Sequence, residues 1–333
     1  MAGSVLVTGG AGYIGSVVVA QLLGRGYEVV VLDDLSRGHR QAVAPEATFV
    51  RGGIGDRGVL DELLRRHPCE ALVHLAAYAL VGESVAQPEM YRANNVTAGR
   101  VLLEGVAAAG VRRVVFSSSC AVYGHPPATP ISEQAPLMPV NPYGETKREF
   151  ERLLTAFAAG DGATVFSLRY FNAAGASPHY GEDHAPETHL IPNVLRVASG
   201  ALPALDVQGT DYPTPDGTAV RDYVHVLDIA DAHVRALEAD PAEAGARGRA
   251  IAVNLGTGVG YSVLAVAEAA RRVTGRAIPA VARPRRPGDP PELVAAAGRA
   301  EAVLGWRPQH SSLDEILSSA WAWHLAHPRG YPN

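Results

Sequence analysis

Tyr143 and Lys147 stand four residues apart, with Gly144, Glu145 and Thr146 between them, in a stretch that reads as the opening of a helix. Residues four apart share a helix face. The Lys147 ammonium is therefore expected beside the Tyr143 ring, favouring the phenolate of a group whose free pKa is roughly 10. Asn141-Pro142 just before the pair reads as an N-cap followed by proline in the first turn, which puts Tyr143 at the positive end of the helix dipole. A phenolate held in this way is a base. Upstream, Phe116-Ser117-Ser118-Ser119-Cys120-Ala121-Val122-Tyr123-Gly124 follows a strand. Ser119 is the hydroxyl best suited to bond a reacting oxygen, whereas Ser117 and Ser118 read as polar strand-end residues that satisfy loop backbone.

A second constellation says what this base works beside. Val5-Leu6-Val7-Thr8 runs into Gly9-Gly10-Ala11-Gly12-Tyr13-Ile14-Gly15 and then an apolar helix. Strand, glycine turn and helix in that order let backbone approach a pyrophosphate at a helix N-terminus. The next strand, Val29-Val30-Val31-Leu32, ends in Asp33. An acid there accepts hydrogen bonds from the adenosine ribose and repels a 2'-phosphate, which selects NAD over NADP. With a nicotinamide nearby, Ser119, Tyr143 and Lys147 are equipped for alcohol-to-ketone chemistry. His74-Leu75-Ala76-Ala77 would approach the same edge of the sheet, with His74 in a structural role. Asn94 and Asn95 read equally as partners for buried backbone near the active helix or as solvated side chains.

These groups need elements to hold them. Ser4 to Thr8, Glu28 to Leu32, Ala71 to Leu75, Val114 to Ser118 and Ala163 to Arg169 read as strands. Gly15 to Gly24, Gly58 to Arg66, Met90 to Ala109 and Tyr143 to Ala159 read as the helices between them. The alternation implies an α/β fold, a Rossmann-type doubly wound parallel sheet. After about Asn172 the texture changes to Pro-, Gly- and His-rich loops with helices such as Ser262 to Thr274 and Leu313 to His324. Residues 1–172 are thus expected to form the NAD-binding domain and 173–333 a smaller mixed α/β substrate-binding domain. Val220 to Val226 and Ala250 to Asn254 are candidate returns to the first sheet.

Bulk properties exclude several partners. Among 333 residues, 47% are hydrophobic and 19% charged, an ordinary globular balance, and the net charge of -5 offers no basic field for nucleic acid. No block of like charge suggests a membrane surface, no apolar run reaches spanning length, and no basic leader precedes Ser4. The cytosol is expected. Cys69 and Cys120 form no metal-spaced cluster and no disulfide framework, and no metal site is expected.

Taken together, the chain resembles the extended short-chain dehydrogenase/reductases, among them the UDP-galactose (UDP-glucose) 4-epimerase family, over nearly its whole length. Gly9, Gly12 and Gly15 match that superfamily's glycine spacing. The more specific matches are Val81-Gly82-Glu83-Ser84-Val85, Arg169-Tyr170-Phe171-Asn172, Asp211-Tyr212-Pro213-Thr214, Asp216-Gly217-Thr218, Val220-Arg221-Asp222-Tyr223-Val224-His225-Val226 and His327-Pro328-Arg329-Gly330-Tyr331-Pro332. The resemblance implies that Tyr13, Ile14 and Tyr170 join the glycines, Asp33, Tyr143 and Lys147 at NAD, with Tyr170 lining the nicotinamide side. It implies that Phe171 lines the sugar side, that Asn172, Arg221 and Arg286 hold a nucleotide-sugar pyrophosphate, and that Asp289 meets a ribose. Arginine's planar fork suits phosphate oxygens.

The reaction implied is C4 epimerisation of UDP-glucose and UDP-galactose through a 4-keto sugar, with transient reduction of bound NAD, in a homodimer joined through the Met90 to Ala109 and Tyr143 to Ala159 helices. Dehydrating relatives carry Asp-Glu directly after the hydroxyl residue, where this chain has Cys120-Ala121. Other readings are an epimerase of UDP-N-acetylhexosamine, UDP-glucuronate or a dTDP-sugar, or an NAD-dependent nucleotide-sugar oxidoreductase. Gly53 stands where an acid to the adenine is usual, Ala79 where a lysine touches the cofactor, and His189 where an asparagine precedes Leu190 near the sugar phosphate. Gln208 replaces an aromatic facing the base. Leu293 lies at the floor of the sugar pocket, between the tyrosine of glucose-restricted members and the small residue of those that admit N-acetyl sugars.

Overall fold

The computed structural model describes residues 3–286 and 288–332. In chain order its strands are β1 (Ser4–Thr8), β2 (Glu28–Asp33), β3 (Thr48–Arg51), β4 (Ala71–His74), β5 (Arg113–Ser119), β6 (Thr164–Tyr170), β7 (Asn172–Ala174), β8 (Leu205–Gln208), β9 (Val220–His225), β10 (Arg249–Leu255), β11 (Gly260–Ser262), β12 (Ala280–Arg283) and β13 (Glu292–Leu293). The helices are α1 (Tyr13–Gly24), α2 (Arg57–Arg66), α3 (Val81–Ala86), α4 (Pro88–Arg92), α5 (Gly99–Ala108), α6 (Pro142–Asp161), α7 (Leu190–Ala198), α8 (Val226–Glu238), α9 (Val263–Thr274), α10 (Gly298–Leu304) and α11 (Leu313–Ala326).

A parallel seven-stranded sheet runs in the order β10-β6-β5-β4-β1-β2-β3. Side chains alternate across it, as the pleat requires. Val5 and Val7 pack into one core with α1 and α8, while Leu6, Val30 and Leu32 pack into the other with α2, α5 and α6. Burial on both faces explains why these strands read as near-continuous apolar runs. β3 escaped the sequence reading because it is an edge strand, Thr48-Phe49-Val50-Arg51, with half-buried or exposed residues and no such run.

The two suspected returns part company. β10 does rejoin the sheet, pairing in parallel with β6 from Arg249↔Thr164 to Leu255↔Tyr170. Val220 to Val226 does not: β9 is the centre of a separate small sheet, where it pairs with β7, β11 and β13. Here it is the helix following β9 that crosses back, since α8 packs against α1 on the face of the large sheet. A two-stranded β8–β12 ribbon and helices α7, α9 and α11 complete this second lobe around Ile191, Val194, Tyr223, Val266 and Ile316.

The expected Met90 to Ala109 helix begins earlier, at Pro88, and is widened by a π-helical turn over Ala93–Ala98 before α5. Asn95 sits in that turn, buried, with its amide bonded to Tyr78 N (2.9 Å), Tyr78 O (3.0 Å) and Thr146 Oγ1 (3.1 Å). It therefore ties the loop after β4 to α6. Asn94 donates to the Asn95 side chain at 3.0 Å. Such turns interrupt helices where a side chain has work to do.

Three buried histidines set an acid limit on stability. Burial pushes His74 down to about 3, and His225 and His233 to about 4. Below the unfolded value of roughly 6.5, the unfolded chain takes up protons that the fold refuses, so stability falls with pH by about 1.4 kcal/mol per unit for each histidine. Urea midpoints at about pH 7 and about pH 5 should therefore differ, with the acidic one lower, and the drop should be shallower in His233→Leu. A drop in His233→Leu as steep as the parent's would show that this imidazole titrates freely.

Candidate active site

Strand ends bring the chemistry together. Thr8 is in register with His74, His74 with Phe116, and Ser119 with Tyr170, so the carboxyl edge of the sheet carries all of them. That edge is where doubly wound folds bind ligands. His74 is structural, as expected: its Nδ1 lies 2.7 Å from Thr8 Oγ1 and its ring packs on Phe116 and Phe150.

The turn after β1 is shaped by two glycines. Gly9 has φ +76, and a Cβ there would lie 2.5 Å from the Ala76 nitrogen, while a Cβ on Gly15 would lie 2.0 Å from the Gly9 carbonyl oxygen. Gly12, the N-cap of α1, is different, since a Cβ there would meet only Gly9 O at 3.4 Å. Its open side, together with a first turn that has no acid and no side-chain cap, leaves helix N–H groups for an anion. Tyr13 and Ile14 open α1, and the Tyr13 hydroxyl donates to Gly175 O at 2.5 Å. Asp33 ends β2 with one carboxylate oxygen accepting from Ala11 N (3.0 Å) and the other from Leu35 N (2.9 Å). These features fit a dinucleotide with a free 2'-hydroxyl. Gly53 has open space around its Cα, and Ala79 is exposed.

On α6, Asn141 caps as expected, its Oδ1 accepting from Gly144 N at 2.9 Å. Tyr143, Lys147 and Ser119 are all buried. Lys147 Nζ donates to Ser117 O at 2.7 Å and lies 5.7 Å from the centre of the Tyr143 ring. The two residues do share a face, but the electrostatic expectation needs correction. Burial pushes the Tyr143 phenol up to about 12, with only the Ser119 hydroxyl pulling it back. Burial also takes Lys147 down to about 7, with Glu151 opposing. Desolvation outweighs the local charges, so the protein's own groups keep the proton on Tyr143.

Ser117 and Ser118 also depart from expectation. Their hydroxyls bond side chains instead of loop backbone: Ser117 Oγ meets the Tyr170 hydroxyl, and Ser118 Oγ donates to Glu151 Oε1 at 2.6 Å. Glu151 in turn receives Arg169 Nε at 2.9 Å and Nη2 at 2.5 Å, and Arg169 Nη1 reaches the Tyr123 hydroxyl at 3.0 Å. The sequence reading missed Glu151. Its signal was present, because it lies one turn beyond Lys147 on the same face of α6.

The second lobe assembles the remaining candidates. Phe171 packs with Cys120, Val122, Tyr123, Ile131 and Ala295, and Leu293 leans on the same cluster. Asn172 Nδ2 donates to Asp222 O at 3.0 Å. Arg221 pairs with Asp289 and donates to Val220 O at 2.8 Å, so the arginine assigned to a pyrophosphate and the acid assigned to a ribose are partners here. Arg286 is exposed, and its carbonyl accepts from Asp289 N at 3.2 Å. His189 caps α7 at Leu190, but its Nδ1 faces Glu182 (2.8 Å) and Glu187 (3.0 Å). Gln208 is half-buried at the end of β8. Cys69 and Cys120 are free and buried.

Comparison with known proteins gives a consistent picture. The family model for the NAD dependent epimerase/dehydratase family matches residues 5–256. A UDP-glucose 4-epimerase from Lactobacillus helveticus is 49% identical over 329 residues, 98% of each chain. The crystal structure of UDP-glucose 4-epimerase from Brucella ovis in complex with NAD is 45% identical, covers 97% of this chain and 98% of its own, and superposes with a TM-score of 0.91. That of UDP-glucose 4-epimerase from Bifidobacterium longum with NAD+ and UDP is 36% identical, covers 98% of this chain and 100% of its own, and has a TM-score of 0.93.

Proposed function

The chain belongs to the NAD dependent epimerase/dehydratase family, and on that premise we propose that it inverts C4 of a nucleotide sugar, interconverting UDP-glucose and UDP-galactose. The observation that carries this reading is the buried group of Ser119, Tyr143 and Lys147 at the sheet edge, followed by Cys120-Ala121 in place of a second acid/base pair. Bound NAD would supply the acceptor and later donor of hydride, and a positive charge beside the phenol. Every proton step then falls to the protein. Tyr143 takes the proton of the sugar 4-hydroxyl as the 4-keto sugar forms, with Ser119 bonding the reacting oxygen and Lys147 holding the ribose. After the keto sugar turns about its pyrophosphate and offers its other face, Tyr143 returns the proton.

On this reading Gly9, Gly12, Gly15, Tyr13, Ile14, Asp33 and Tyr170 form the cofactor cradle. Phe171, Asn172, His189, Leu190, Arg221, Arg286 and Asp289 receive the nucleotide sugar, which requires Arg221 to share or exchange Asp289 for phosphate. Leu293 packing beside Phe171 keeps a second reading open, acceptance of an N-acetylhexosamine. The enzyme acts as a cytosolic homodimer joined through the helical stretches 90–109 and 143–159; light scattering giving the mass of one chain would remove that part. No helix among the described residues is long and apolar enough to cross a membrane.

The deciding experiment offers UDP-galactose, UDP-N-acetylgalactosamine, UDP-glucuronate and a dTDP-hexose without added cofactor and separates the products. Conversion of UDP-galactose to UDP-glucose is expected. Stoichiometric release of reduced cofactor, or loss of water, would overturn the proposal.

A further inference from the structure

The segment leading into α7 brings together Glu182, His184, Glu187 and His189, whose ligand-type atoms all lie within 4.8 Å of one another. His189 Nδ1 is 2.8 Å from Glu182 and 3.0 Å from Glu187, and His184 Nδ1 is 3.2 Å from Glu182 and 3.8 Å from Glu187. Four ligands at zinc-type bond lengths around one tetrahedral ion would be about 3.3–3.4 Å apart. We propose that these four side chains bind one divalent first-row transition ion, such as Zn2+ or Co2+, through two imidazole Nδ1 atoms and two carboxylates.

Three observations support it. First, the Glu182 and Glu187 side chains are only 9% and 7% exposed, and the salt bridges they make among the described residues are all to these two histidines. Two desolvated carboxylates need two positive charges. Protons could supply them, but only by placing two imidazolium rings 5.2 Å apart, whereas one dication does so without that repulsion. Second, mixed imidazole and carboxylate donors suit the borderline divalent metals. Third, the cluster is open on one side, with His189 44% exposed, which gives an ion a way in. The positive end of the nine-residue helix α7 opposes a cation, but its roughly half charge is outweighed by two full carboxylates.

The position gives the ion a task beyond the epimerase reaction itself. His184 meets the edge of Tyr13 in the cofactor turn at 6.3 Å, and His189 is the cap from which α7 and Leu190 start. A bound ion would lock these two segments together. It would also fix the His189 tautomer, leaving Nε2–H outside the cluster as a stronger donor. Histidines and glutamates spread over eight residues carry no such message in a bare sequence, and cysteine spacing says nothing of them.

The test uses the full-length protein as purified, dialysed against chelator and titrated with Co2+. One equivalent per chain is expected, with the visible d–d absorption of a four-coordinate site that added Zn2+ bleaches. Glu187→Gln, nearly isosteric, and His184→Ala, checked for folding by circular dichroism, should each weaken Co2+ at least about 10–100-fold. Absence of saturable binding, or binding that survives both substitutions, overturns the site. The readout is absorption, so its failure is independent of whether the chain epimerises UDP-galactose.

Discussion

Tyr143→Phe should retain its fold and its nucleotide-sugar affinity while kcat falls about 10³-fold, the middle of the range for losing one acid/base group. The phenol is buried beside Ser119 and Lys147, and the other two hydroxyls of α6 are spent on its own backbone, Thr146 Oγ1 donating to Tyr143 O and Thr155 Oγ1 to Glu151 O. Removal of one oxygen leaves the ring, the helix cap and the Lys147 bond to Ser117 in place. The loss should therefore be confined to kcat, with KM changed only a few-fold, the pattern of an interaction made in the transition state. A variant that interconverts the sugars at the parent rate would sink the assignment. The same site makes a spectroscopic claim. Because burial holds Tyr143 at about 12, the phenolate should be missing from ultraviolet difference spectra of cofactor-stripped protein at neutral pH. It should grow in, at lower pH than before, when NAD is restored, and Tyr143→Phe supplies the blank.

Glu151→Ala should cost about 3–5 kcal/mol of stability, read as a lower urea midpoint. The Arg169 and Glu151 side chains are 5% and 10% exposed, so deletion of the carboxylate strands a buried guanidinium and the Ser118 hydroxyl. Glu151→Gln, which keeps one acceptor oxygen but no charge, should lose less stability. The effect reaches the active site as well. Glu151 is the group that holds the Lys147 ammonium up against burial, so either change should push Lys147 further below its present value of about 7. The acidity of Lys147, followed by its reaction with an amine reagent across pH, should shift downward in Glu151→Gln. An unchanged profile would confine Glu151 to a structural role.

How much of this was legible beforehand depends on how local the physics is. The glycine turn was legible because a positive φ at Gly9 and the close approach at Gly15 to Gly9 are settled within seven residues. The α6 start was legible because Asn141, Pro142 and Gly144 cap it within one turn. Ser119, Tyr143 and Lys147 followed, since a strand end and a helix face fix where they point. The edge strand β3 was not legible, because its pairing with β2 buries too little apolar surface to leave a pattern.

Other features have no local signature at all. β9 joined the small sheet, and α8 the large one, because pairing and packing are decided by segments far away in the chain. The network of Glu151, Arg169, Tyr123 and Asn254 spans more than a hundred residues, as does the contact of Tyr13 with the His184 segment. Protonation belongs to the same class. A tyrosine and a lysine four apart predict a shared helix face, and that is what forms. Whether the lysine's charge reaches the phenol is set by how much water the rest of the fold removes, and only the assembled structure holds that quantity. Residue types and short spacings thus decided which chemistry the chain carries, because backbone geometry acts over one or two turns. Desolvation and long-range pairing decided which charges meet, because both depend on neighbours that sequence order does not supply.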